Sequence, residues 1–227
     1  MRQPGAVGVL VLCLGIGAPG VRAGTDTPFY HWKALRDHEL VRQERDFSCG
    51  LAALATLMTH YFEIPVSETE LLERLDLPTT DDLARLLQSS ENSAEERARL
   101  KALQEKGVSL ATLAALANEM GFQAQGVGIR PELLSRLRMP AIAYVEAGGE
   151  PHFTLIRGVD AQGRVQVADS SWGNRLFSAP DFARMFTPGA QSTGRLLLVL
   201  PPAEVSGRDD WFGINRARPL LQPRVVY

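Results

Sequence analysis

The chain has 227 residues, 45% of them apolar and 22% charged, with a formal net charge of −2. That is the composition of an ordinary globular protein, with enough length for one domain and attachments. A charge so close to zero gives no electrostatic case for nucleic acid or an anionic membrane surface as partner. There are two cysteines, Cys13 and Cys49, which cannot make a zinc site by themselves. The sequence contains neither a phosphate loop nor a dinucleotide fingerprint, so no cofactor or metal is implied.

Arg2 is followed by an uncharged apolar run from Ala6 to Ile16, and Val21-Arg22-Ala23 places small residues where a signal peptidase reads. The run is short of the roughly 20 apolar residues a membrane span needs. It predicts a signal peptide over 1–23, cleavage after Ala23, and export with no transmembrane span left. Leu12 stands before Cys13 where a lipoprotein signal needs a small residue, so lipidation is not expected. Cleavage would leave Cys49 as the one cysteine. An unpaired thiol in a disulfide-permitting compartment is a liability unless it is buried or used.

Residues 24–42 read as a short amphipathic lead-in, about one helical turn and then an extended segment. His31 and His38 lie there without metal-ligand spacing and read as solvated. Gln43-Glu44-Arg45-Asp46-Phe47-Ser48-Cys49-Gly50 then runs into a strongly apolar helical segment ending near Phe62. Cys49 therefore sits at a helix N-terminus, where backbone N–H groups favour negative charge on a thiol. Ser67 and Glu70 form a capping box for a helix carrying Leu71, Leu72 and Leu75. Residues 76–107 are charged and helix-prone and read as a solvated helical insertion. Ser109 to Gly121 is a further amphipathic helix, capped by serine and stopped by glycine.

The pattern then changes. Gln123–Ile129, Ala141–Glu146, His152–Val159, Arg164–Asp169 and Arg195–Leu200 are short and rich in β-formers, with a short helix over Pro131–Leu137. Helices first and strands later predicts an α+β fold, with an N-terminal helical half packed on an antiparallel sheet. The main domain is expected over 24–200. Residues 201–227 read as an irregular tail in which Trp211-Phe212 either docks on the domain or meets a partner.

A nucleophilic cysteine needs an imidazole, and the imidazole needs an orienting group. His60 lies three turns along the helix that Cys49 opens and cannot reach it. His152 begins a strand, and the next strand ends in Asp169. A hairpin about Ala161-Gln162 would bring the two nearly opposite each other. Asp169 could equally cap the turn that follows it, Ser170 to Asn174. Gln43 reads as an ordinary surface residue by composition, although a glutamine amide can donate to an oxyanion.

Gln43, Asp46-Phe47-Ser48-Cys49-Gly50, the Ala/Leu-rich helix, His152, and Asp169 with Gly173 four residues on resemble the bacteriocin-processing cysteine peptidases. The resemblance spans residues 30–200. It implies a papain-like fold with Cys49 as nucleophile, His152 as general base and acid, Asp169 as orienting carboxylate and Gln43 as oxyanion donor. Transporter-fused members carry Asp directly before the cysteine and proline after the aspartate, where this sequence has Ser48 and Ser170. The export signal is similar to the stand-alone branch, including the peptidase encoded with functional-amyloid secretion systems. The resemblance thus implies a periplasmic endopeptidase acting on a secreted polypeptide, with outer-membrane secretion machinery as a further partner. The alternatives are a non-cleaving peptide-binding module or chaperone on the same fold, and acyl transfer to another acceptor.

Overall fold

The computed structural model describes residues 32–75, 98 and 108–212. The expected signal peptide, most of the helical insertion 76–107 and the tail beyond 212 lie outside them. Five α-helices are described: α1 Trp32–Arg36, α2 Cys49–Thr56, α3 Glu68–Arg74, α4 Leu110–Glu119 and α5 Ala179–Phe186. The six described strands are β1 Gln123–Ile129, β2 Ala141–Ala147, β3 Glu150–Val159, β4 Val165–Asp169, β5 Gly173–Phe177 and β6 Gly194–Leu200. They form one antiparallel sheet in the order β1-β6-β2-β3-β4-β5.

Period-two alternation sends neighbouring residues to opposite faces of a sheet. Ile142, Leu155, Ala168, Leu197 and Val199 point into one core with α2, α3 and α4. Ala143, Val145, Ile156, Val167 and Leu196 point into a second core, closed by Phe182 and Phe186 of α5. Both faces of the sheet are covered, which is why every residue of β4 is buried.

α2 continues without a break into a π-helical turn over Leu57–Tyr61, matching the helix expected to end near Phe62. It runs against β3, and Gly50 permits this. A Cβ there would lie 3.0 Å from a Leu113 methyl and 3.1 Å from the Phe153 ring. The predicted capping box is present: Ser67 Oγ accepts from Glu70 N–H, and Glu70 Oε2 accepts from Ser67 N–H. Ser109 caps α4 and Gly121 ends it at φ +85. Beyond the expected elements the structure has β5 and α5, in a region where the sequence predicts only a turn.

Candidate active site

Cys49 is the first residue of α2, a helix without a side-chain cap. The usual cap position is taken by Ser48, but its hydroxyl donates back to the Arg45 carbonyl at 2.9 Å. The first-turn N–H groups of α2 are therefore not occupied by a cap, and the N-terminal end of the helix macrodipole sits at the sulfur. The loop before it is braced by Glu68 of α3, buried at 3% exposure. Glu68 Oε2 accepts from Glu44 N–H at 2.9 Å. Burial pushes the Glu68 carboxyl up despite that bond.

His152 and Asp169 meet through Nε2 and Oδ2 at 2.8 Å. The register differs from the expected one. Leu155 pairs with Ala168, so continuing the ladder places Thr154, not His152, beside Asp169. The hairpin turn runs from Asp160 to Arg164, and a bulge falls between Ile156 and Gly158. His152 is therefore diagonal to Asp169, two residues along the same face, which long side chains can still bridge. Asp169 is fully buried and does both things the sequence allowed. While Oδ2 pairs with the imidazole, Oδ1 accepts from Ser171 N–H at 2.9 Å and Trp172 N–H at 2.7 Å, capping the turn.

With Nε2 held by Asp169, Nδ1 is the ring nitrogen left for Cys49, whose interaction with the ring contributes to the His152 pKa. Burial alone would lower the His152 pKa. Its bonds to Asp169 and Cys49, and the negative charge of both, outweigh burial and raise it to about 9. The ring is thus an imidazolium at neutral pH. Trp172 lies against it, with ring centroids 4.6 Å apart, and shields the His152–Asp169 pair from water.

Gln43 completes the group from the other wall. Its Oε1 accepts from Ser170 Oγ at 2.9 Å and Ser171 Oγ at 2.6 Å, and its Nε2 donates to the Arg45 carbonyl at 2.9 Å. A carbonyl can only accept, so the amide has one possible orientation, and one N–H remains unspent. The structure therefore brings Cys49, His152, Asp169 and Gln43 together. One turn, 169–172, holds both the carboxylate and the glutamine. Sequence reasoning does not single out the two serines; the absence of proline at Ser170 is the one sign of them.

Cys49, His152 and Gln43 line a cleft of about 560 Å³, walled by Tyr144, Phe153 and Trp172. Arg195 lies over the Tyr144 ring at 3.8 Å and forms another part of the wall. Among the described residues, no three His, Cys, Asp or Glu side chains gather as metal ligands would.

A helix-borne cysteine facing a sheet-borne histidine and carboxylate defines the papain-like cysteine peptidase class. The fold comparison agrees: the peptidase domain of Streptococcus ComA, a bifunctional ABC transporter, matches with a TM-score of 0.52 at 18% identity, covering 73% of this protein and 99% of that domain. The chain belongs to the peptidase C39 family, whose model matches residues 83–192. That match holds His152 and Asp169 and begins after Cys49. An uncharacterized protein of Methanothermobacter marburgensis is 30% identical over 153 residues, 67% of this protein and 86% of the relative. A Pseudomonas aeruginosa relative described as "Probable functional amyloid protease FapD" is 26% identical over 146 residues, 64% of this protein and 56% of the relative. The match thus spans about half the length of that curated relative.

Proposed function

We propose that the protein is an exported cysteine endopeptidase that cuts a secreted polypeptide in the periplasm, and that this polypeptide belongs to a functional-amyloid secretion system. The observation that supports the chemistry best is the 2.8 Å His152–Asp169 bond, with Cys49 lining the same cleft as the ring. The substrate class rests on the likeness to the Pseudomonas relative. Export rests on the apolar run Ala6 to Ile16 and the Val21-Arg22-Ala23 site.

In this reading Cys49 Sγ attacks the peptide carbonyl, and the carbonyl oxygen takes the negative charge. The Cys49 N–H and the unspent Gln43 N–H stabilise that oxygen. His152 delivers its proton to the leaving amine as the C–N bond breaks, which leaves a thioester. The now neutral imidazole takes a proton from water, hydroxide adds to the thioester, and the C–S bond breaks. Thiolate, imidazolium and a free carboxyl group result. Asp169 keeps the ring turned so that the same nitrogen serves both steps.

Two measurements test the proposal. Iodoacetamide should alkylate Cys49 at pH 6 at least roughly tenfold faster than in His152→Ala, because the charged imidazole and the helix N-terminus beside the sulfur both favour its attack. An unreactive thiol would refute the nucleophile assignment. Cys49→Ala should fold normally and abolish processing of the exported amyloid subunit. If that variant supports processing as well as the wild type does, the protein is a non-cleaving binding module.

A further inference from the structure

A second cavity of about 370 Å³ opens beside the cleft and shares Trp172 and Ala147 with it. Its lining includes Trp172, Phe177 and Met185, three partly buried apolar side chains packed on the second core. Arg175 stands at its edge, its guanidinium 6.0 Å from the Trp172 ring centroid. Arg184 also lines the cavity but is neutralised by Asp181 of the same wall. Among the described residues no carboxylate lies within ion-pair distance of Arg175. The cavity is thus apolar inside, with one cationic charge left over at its rim.

Its position assigns it a side of the scissile bond. His152 protonates the departing amine, so the substrate segment on the amine side of the bond must leave past the imidazole. Trp172 lies tilted against that ring and lines both the cleft and the second cavity. The Gln43 and Cys49 N–H donors mark the carbonyl side, and the cavity is not lined by either residue.

We propose that this cavity is a leaving-side subsite of the peptidase and selects a polypeptide with a large apolar side chain at the first or second residue after the cut, followed by an acidic residue facing Arg175. The inference rests on the peptidase reading above. Apolar burial supplies the preference for size, and the Arg175 charge supplies the preference for an acid.

Acyl capture tests this with small probes. p-Nitrophenyl acetate acetylates Cys49, with p-nitrophenolate departing. A peptide amide added at the same time competes with water for the thioester. Its amine nitrogen forms the new C–N bond as the C–S bond breaks, and its proton passes to the His152 imidazole as the sulfur departs. The ratio of captured to hydrolysed acetyl reports how well each amine sits on the leaving side.

Gly-Phe-amide or Phe-Gly-amide should capture on the order of tenfold better than Gly-Gly-amide. Gly-Phe-Glu-amide should capture better than Gly-Phe-Lys-amide. Met185→Ala should shrink the first preference, and Arg175→Glu should invert the second. Each ratio compares two amines on one protein, so a slower variant still gives a reading. Equal capture of all amines overturns the subsite, as do preferences that survive both substitutions. A wild type that never forms acetyl-enzyme refutes the peptidase reading, and the subsite falls with it.

Discussion

At the scale of single residues, the site is controlled by what surrounds His152. The ring gains two partners on folding, and its pKa rises from 6.5 to about 9. A group whose folded pKa lies above its unfolded value binds its proton more tightly when folded. Its contribution to stability is complete below about pH 6.5 and fades as pH rises through 9. Wild-type protein should therefore lose a few kcal/mol of unfolding free energy across that window, read from urea titrations at stepped pH. His152→Ala should be flatter over the same range. Equal slopes for the two proteins would mean that the ring is not held as an imidazolium. Gln43 shows the limit of residue-level reading. Its amide is fixed by Ser170, Ser171 and Arg45, which come from two distant stretches of sequence. Nothing at position 43 signals that, and only the spacing to Cys49 in a known family pattern does.

At the scale of elements, much of the fold is legible because local chemistry decides it. Ser67 and Glu70 bond each other within one turn, and Gly121 takes the left-handed conformation other residues avoid. The strands whose apolar residues alternate are readable for the same reason. β5 and α5 are not. β5 has few strongly β-forming residues in Gly173-Asn174-Arg175-Leu176-Phe177, and its place is set by pairing with β4 and by close approach to α1. A Cβ at Gly173 would sit 2.2 Å from Arg36 Cγ. The hairpin register escapes the sequence for a related reason, since a bulge is a tertiary adjustment that leaves no periodic signature. Glu68 is the element-level brace, tying α3 to the loop that presents Gln43 and Cys49. Glu68→Ala leaves the Glu44 N–H without its acceptor and should cost about 1–3 kcal/mol in urea unfolding. Glu68→Gln keeps an acceptor and removes a charge that burial disfavours, so it should stay within about 1 kcal/mol of wild type. If Glu68→Ala is also silent, the brace is not what holds the loop.

At the scale of the whole molecule, the described residues after β6, 201–212, are anchored to the core through Trp211. The sequence leaves Trp211 undecided between docking and a partner contact. It is 1% exposed, packed on Tyr61 at 6.1 Å between centroids. The Arg157 guanidinium lies 4.3 Å from its ring centroid and donates through Nε to its carbonyl at 2.9 Å. Arg157 also reaches Glu39 at 2.8 Å, and Glu39 takes Arg208 at 3.2 Å. One ionic cluster therefore joins the lead-in before the Gln43–Cys49 loop, strand β3 that carries His152, and residues 208–211. The two walls of the cleft are held together from behind by residues far from the chemistry. Trp211→Ala removes a buried aromatic from that junction and should cost about 3–5 kcal/mol in urea unfolding. Half-buried Phe212, changed to alanine, should cost clearly less. The discriminating readout is the site itself. At a temperature where Trp211→Ala remains folded, iodoacetamide alkylation of Cys49 at pH 6 should slow, because the helix wall and the sheet wall no longer hold one spacing. A variant that loses stability but alkylates at the wild-type rate would show that this latch stabilises the fold without setting the width of the cleft.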